Sequence, residues 1–344
     1  MDLELTDEQA LLAESVEQLL SRATGAAAWD ALVDFGALSI AAGEEAGVGA
    51  VELALIARAL GERVESTPLV DTAAALYATR NTDGFAGAAT IALALLEPGG
   101  GWALEEPSTS VAGGTIDGDK VATHAAVADA LLVLAEDAGS RRLALVPREA
   151  AGVTVSPAPW IDESLQPAAV TLRRVAADAV LSPEATVAVL PRLLAIGAVL
   201  AAAEAAGAAA GVLELARRYA TERRQFGRPI GSFQAIRHLL ADMYVKQDSS
   251  WSTVLFAAAA LEDGTADALQ TASIAKAYVS RAAQDVAHNA LQVFGGIAFT
   301  AEHPAHRYLR RILARGQQFG DARHHERAIG RELARAPQPA AIAP

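Results

Sequence analysis

Arg223-Arg224-Gln225-Phe226-Gly227-Arg228-Pro229-Ile230-Gly231-Ser232-Phe233-Gln234 joins two long segments of helical periodicity. Its glycines and proline mark a turn rather than a continued helix. From a helix end, the planar fork of Arg223 can grip a pyrophosphate with two bonds; a solvated helix-end arginine is the plainer alternative. Phe226, followed by Gly227, reads either as the aromatic anchor of an ordinary turn or as a ring face for an adenine.

Helical periodicity runs upstream of this turn from about Glu184 and downstream through Ile236, Leu239, Leu240 and Met243 on one face and Ile274, Ala277 and Tyr278 on another. Four long helices of this kind pack as an up-and-down bundle, expected over residues 184–335. A second stretch within it is Gln292-Val293-Phe294-Gly295-Gly296-Ile297-Ala298-Phe299-Thr300-Ala301-Glu302-His303-Pro304. Gly295-Gly296 serves either as the C-cap of the preceding helix or as bare backbone that a bulky phosphate can approach without a Cβ in the way. Glu302, two positions before Pro304, reads as a charge at a helix start.

Further out, residues 1–85 are expected to be helical. Thr6 and Gln9 have capping-box spacing, Leu12, Val16, Leu19 and Leu20 form an apolar stripe, and Leu53, Ile56, Ala57 and Leu60 form another, closed off by Thr67-Pro68. Between 86 and 183 the texture changes to short apolar runs, Ile91–Leu96, Ala130–Ala135, Leu143–Val146 and Ala169–Leu172, separated by Gly, Pro and Asp. That pattern predicts a small antiparallel β domain. The fold class is therefore α+β, mostly α: helical domain, β domain, helix bundle. An Ala/Pro-rich tail, 336–344, is expected to fray.

Composition narrows the function. The 344 residues carry 28 Lys+Arg against 41 Asp+Glu, a net charge of −13, which argues against a nucleic-acid partner. With 52% hydrophobic residues there is ample material for a core. The absence of cysteine excludes disulfides, thiolate metal sites and cysteine nucleophiles, and fits a cytoplasmic protein. The acidic start, Met1 to Gln9, does not look like an export signal. The apolar stretch from Arg192 to Glu214 is divided by Glu204, which points to a buried helix and no membrane partner. Glu302, His303 and His306, like His324, His325 and Glu326, lack zinc-helix spacing, so no metal is expected.

Both quoted stretches resemble signature segments of the acyl-CoA dehydrogenase family of flavoproteins, and the order of helical domain, β domain and bundle is similar to that family's over essentially the whole chain. The resemblance implies FAD as cofactor, an acyl-CoA substrate dehydrogenated to the trans-2-enoyl thioester, and an electron-transfer acceptor. It implies that Arg223, Phe226, Gln234, Gln292, Gly295 and Gly296 contact the ADP half of FAD seated in a neighbouring subunit. It also implies that Leu96 and Thr123 face a flavin in this chain's own β domain.

Two departures accompany the resemblance. The family's proton-abstracting glutamate lies in a Tyr-Glu-Gly-Thr-like turn, where this chain reads Gln318-Phe319-Gly320-Asp321-Ala322; Asp321 is the nearest acid, and Leu190-Pro191-Arg192-Leu193 offers none at the alternative position. The catalytic residue is thus unassigned. The flavin seat, usually Thr-Glu-Pro-x-x-Gly-Ser-Asp, reads Leu96-Glu97-Pro98-Gly99-Gly100-Gly101-Trp102, and the stretch Gly118 to His124 is one residue short before Thr123. An intact nucleotide grip beside an eroded flavin seat is similar to the small subunits of heteromeric steroid side-chain acyl-CoA dehydrogenases. That implies an α2β2 tetramer in which a second acyl-CoA dehydrogenase subunit supplies the base. A homo-oligomer with an unidentified base and a flavin monooxygenase on the same fold are the alternatives.

Overall fold

The computed structural model describes residues 4–44, 47–82, 90–102 and 104–335. The expected 85/86 boundary and the 336–344 tail lie outside the described residues. Helices α1 (Asp7–Leu20), α2 (Ala26–Asp34), α3 (Ala37–Ala42), α4 (Ala50–Arg63) and α5 (Leu69–Thr79) come first. The capping box opens α1: Gln9 N donates to Thr6 Oγ1 at 3.2 Å and Thr6 N to Gln9 Oε1 at 3.1 Å. Gln9 then donates to Glu52 Oε1 at 2.9 Å, tying α1 to the buried α4.

Strands follow: β1 (Ile91–Ala94), β2 (Ser110–Ala112), β3 (Thr115–Thr123), β4 (Ala130–Asp137), β5 (Ser140–Pro147), β6 (Val153–Pro157), β7 (Pro167–Ala176) and β8 (Ala179–Val180). They form one sheet in the order β6-β7-β3-β2-β4-β5-β8, with β1 also on β4. The sheet is mixed rather than antiparallel throughout, because β1 pairs parallel with β4 from Ile91 opposite Ala130 to Ala94 opposite Val133, and β2 meets β4 in the same sense. A short apolar run carries no signal of direction; the path of the chain between two strands sets it. Side chains alternate along β4: Ala130, Leu132 and Leu134 join the helical core, whereas Leu131 and Val133 join a second core inside the β region.

The remaining helices are α6 (Pro183–Glu222), α7 (Gln234–Asp263), α8 (Ala268–Phe294), α9 (Ala305–Gln317) and α10 (Ala322–Arg335), with a hairpin of β9 (Arg224–Gln225) and β10 (Arg228–Pro229) after α6. Three long helices are thus completed by two short ones instead of a fourth long one, since the chain breaks at Phe319 (φ 57°) and Gly320 (φ 100°). Helix α6 is long and apolar enough to cross a membrane by length and composition alone, yet every residue from Ala195 to Ala209 is buried within the protein. It runs through the centre, packed so closely on α4 that a Cβ at Gly207 would lie 2.0 Å from the Arg58 carbonyl oxygen. On α8 the inward face is built from Ala272, Ala275, Val279, Ala283 and Val286, while Ile274 and Tyr278, expected to pack, are 44% and 40% exposed.

Candidate functional site

Two separate sets of the candidate residues emerge. Arg223 ends α6, its N–H donating to the Tyr219 carbonyl at 2.8 Å and its own carbonyl accepting from Ile230 N at 2.8 Å. The β9–β10 hairpin turns through Phe226 (φ 51°) and Gly227 (φ 78°), the paired left-handed conformation of a two-residue type I′ turn. The turn holds the Phe226 ring 90% exposed, edge-on to Phe233 at 6.1 Å, and the Arg228 guanidinium covers the Phe233 ring at 4.1 Å. Gln234 then opens α7, exposed.

Tyr219 near the end of α6 meets Phe294 at the end of α8, ring centroids 5.4 Å apart, so α6 and α8 deliver both quoted stretches to one end of the bundle. Gly295 closes α8, its N–H donating to the Leu291 carbonyl, and a Cβ at Gly295 or Gly296 would meet nothing within 4 Å. Gly295 is thus the C-cap of α8, and the space beside both glycines is open. Arg223, Phe226, Gln234, Gln292 and Gly296 are exposed and Gly295 is half-buried. The Arg223 guanidinium has no partner among the described residues, while Arg224 donates to the Gly227 carbonyl at 3.2 Å. A cluster of exposed arginines beside open backbone and a free aromatic face suits a nucleotide diphosphate.

Leu96 and Thr123 lie elsewhere, on a cavity of about 370 Å³ between α5, the β sheet and the α9–α10 turn. In sequence, α9, whose 13 residues rise about 20 Å, lies between Gly295-Gly296 and the cavity residue Gln318. The cavity walls are largely apolar, including Leu93, Leu95, Trp102, Trp160 and Phe319. Phe319 occupies the place of the expected glutamate; its ring stacks on Trp102 at 5.3 Å and lies against Gly197 of α6, where an added Cβ would come within 2.2 Å. Glu97 shapes the rim. It accepts from Ser108 N and Oγ at 3.0 and 2.6 Å, Thr109 N and Oγ1 at 2.8 and 2.9 Å, and the buried Lys120 Nζ at 3.0 Å. Burial works to raise this carboxyl, but those donors outweigh it and hold it down at about 2.

Asp71 on α5 was not among the sequence candidates. Thr72 fixes its helix against β1, donating to the Ile91 carbonyl and accepting from Ile91 N, both at 3.1 Å. Asp71 is 3% exposed, lines the cavity and accepts from Thr123 Oγ1 at 2.5 Å. Thr123 in turn accepts from Gln318 Nε2 at 3.4 Å, and Gln318 Oε1 accepts from Arg315. Behind Arg315 the chain of contacts continues through Glu204 (2.9 Å) to Arg311 (2.7 Å) and Asp162 (2.7 Å), all buried. Burial pushes the Asp71 carboxyl up to about 6, against the lowering pull of Arg315 and the Thr123 bond. The neighbouring His124 is driven down to about 3 by burial and by Arg315 and Arg311, so it is neutral.

Asp321 sits outside this cavity. Its Oδ1 accepts from His324 N at 2.7 Å, capping α10, and it borders a smaller hollow with Ser280, Arg281 and Gln284. Lys276, 40 residues or more away in sequence, donates to the Gly316 and Gly320 carbonyls at 2.8 and 2.9 Å and so ties the same turn to α8. Glu302 is exposed ahead of α9, whose N-cap is Pro304.

Residues 187–334 match the family Acyl-CoA dehydrogenase, C-terminal domain. Acyl-CoA dehydrogenase IpdE2 of Mycolicibacterium smegmatis is 41% identical over 137 residues, which are 40% of this chain and 42% of that protein, so the match spans less than half of either. Two solved structures are similar along nearly the whole length. A variant of the Tcur3481-Tcur3483 steroid ACAD superposes with a TM-score of 0.85 at 27% identity, covering 95% of this chain and 98% of that one. The ChsE4-ChsE5 complex from Mycobacterium tuberculosis gives 0.82 at 25%, covering 98% and 100%. The chain thus has the acyl-CoA dehydrogenase fold along nearly its whole length, and its bundle matches the C-terminal domain of that family.

Proposed function

We propose that this chain is a subunit of an FAD-dependent acyl-CoA dehydrogenase that converts a bulky acyl-CoA, such as a steroid side-chain thioester, to its trans-2-enoyl product. The observation that carries the proposal is the separation of the two sets of residues. The exposed end of the bundle, with the Arg223 guanidinium unpartnered among the described residues and Gly295-Gly296 bare, offers a grip for the ADP half of FAD whose flavin lies in an adjoining subunit. When bound, FAD supplies the hydride-accepting ring. In this chain the guanidinium of Arg223 would neutralise the diphosphate, Phe226 would cover the adenine, and Gln234 and Gln292 would bond at its edges.

The chain's own cavity suits a flavin poorly. Leu96 lacks a hydroxyl, the Thr123 hydroxyl is already spent on Asp71, and Phe319 stands where a base would be. We therefore assign the base and most of the flavin seat to a second, related chain in an α2β2 tetramer. Exposed Tyr244 and Val245 on α7, and Ile274 and Tyr278 on α8, supply apolar area for contacts between subunits. The two similar solved structures, Tcur3481-Tcur3483 and ChsE4-ChsE5, are each named as a pair of proteins, which supports the heteromeric reading. Purifying the chain alone and with co-expressed relatives, then recording flavin absorbance and mass, tests it. Colourless protein that gains FAD only with a partner is expected; a fully flavinated, active homomer overturns it.

A further inference from the structure

We propose that the 370 Å³ cavity is a binding site for an aromatic or apolar monoamine, whose ammonium group is received by Asp71 and whose body lies against Trp102, Trp160 and Phe319. The inference does not depend on FAD or on the partner chain.

Three observations carry it. The first is direction. Arg315 donates to Gln318 Oε1, which fixes the amide so that Nε2 faces Thr123 Oγ1; that leaves the Thr123 hydroxyl proton to be donated to Asp71 Oδ2. Every donor in the relay points toward the carboxylate, holding it as an acceptor. Asp71 Oδ1 has no hydrogen-bond partner among the described residues.

The second is charge. Asp71 belongs to a buried cluster of three carboxylates, with Glu204 and Asp162, against two guanidiniums, Arg311 and Arg315. The ionised cluster is one negative charge in excess, and a buried charge without a counter-charge is costly. A monocation restores neutrality, whereas a second anion would double the excess. The other groups facing the cavity do not compete: Glu97 is satisfied by five donors including Lys120, and the adjacent His124 is neutral. The third is shape and polarity. Outside Asp71, Thr123, Gln317, Gln318 and the Glu97 rim, the walls are largely apolar, and aromatic faces attract an ammonium as well as an aromatic ring.

Calorimetric titration of the full chain with phenethylamine and with its uncharged counterpart 2-phenylethanol tests the proposal at pH 7.5 and pH 5. At pH 7.5 the amine should bind at least tenfold more tightly than the alcohol. The preference should shrink at pH 5, where Asp71, whose carboxyl titrates at about 6, takes up a proton. Asp71→Asn keeps an acceptor for Thr123 and should bind both probes alike at both pH values, with an unchanged circular dichroism spectrum as the check on folding. Equal or tighter binding of the alcohol to the unsubstituted chain, no binding of the amine at millimolar concentration, or a preference that persists in Asp71→Asn each overturns the proposal.

Discussion

Replacing Asp71 by asparagine should stabilise the protein, and only above about pH 6. The carboxyl is buried, and burial lifts it from an ordinary 3.8 to about 6 despite the Thr123 bond and the nearby Arg315. The native chain therefore holds this proton more tightly than the unfolded chain does. Stability contributed by the group is fully present below about 4, falls as the pH rises towards 6, and is absent above it. A change of that size corresponds to about 3 kcal/mol, at about 1.4 kcal/mol per tenfold in proton affinity. Asparagine has nearly the same shape, still accepts from Thr123 and does not ionise, so it escapes the penalty. Urea unfolding followed by tryptophan fluorescence should show Asp71→Asn more stable by up to about 3 kcal/mol at pH 8 and equal to the parent near pH 4. A variant less stable at pH 8, or a difference independent of pH, would refute the reasoning that an ionised Asp71 is an uncompensated buried charge.

Other substitutions probe the packing around the same cavity. Glu204 bridges Arg315 and Arg311 at 2.9 and 2.7 Å; Glu204→Gln leaves the buried Arg315 without this carboxylate while Arg311 keeps Asp162, and should cost about 3 kcal/mol in the same unfolding measurement. Phe319→Ala removes a ring that is 2% exposed and stacked on Trp102; a loss of about 3–5 kcal/mol and an enlarged cavity are expected, the latter read by binding of a larger apolar probe.

The bundle-end residues were legible because each lies in a continuous stretch whose turn and cap chemistry is local: Phe226-Gly227 make the hairpin turn and Gly295 caps α8 in the positions their neighbours imply. The capping box at Thr6 and Gln9 was legible for the same reason. The cavity was not. Asp71, Thr123 and Gln318 come from α5, β3 and the end of α9, and nothing in any one of those segments announces the other two. Glu204 gave half a signal, as a lone acid in an apolar helix, but its partner Arg311 stands 107 positions away on α9. Sequence periodicity also cannot say which way an apolar face looks, and Ile274 and Tyr278 turned out to face outwards while alanines fill the core beneath them. The direction of β1 on β4 was hidden for the reason that four apolar residues pair equally well in either sense.

In the proposed function one guanidinium at the end of α6 grips a diphosphate across a subunit boundary, and flavin stoichiometry in an Arg223→Ala variant of the assembled complex tests this directly. Losing a charge-assisted bidentate contact of about 1.5–3 kcal/mol should weaken FAD binding about ten- to a hundredfold, so that dialysed complex loses its 450 nm absorbance, with Arg223→Lys intermediate. Full flavin occupancy in Arg223→Ala, with the subunits still associated, would contradict the account.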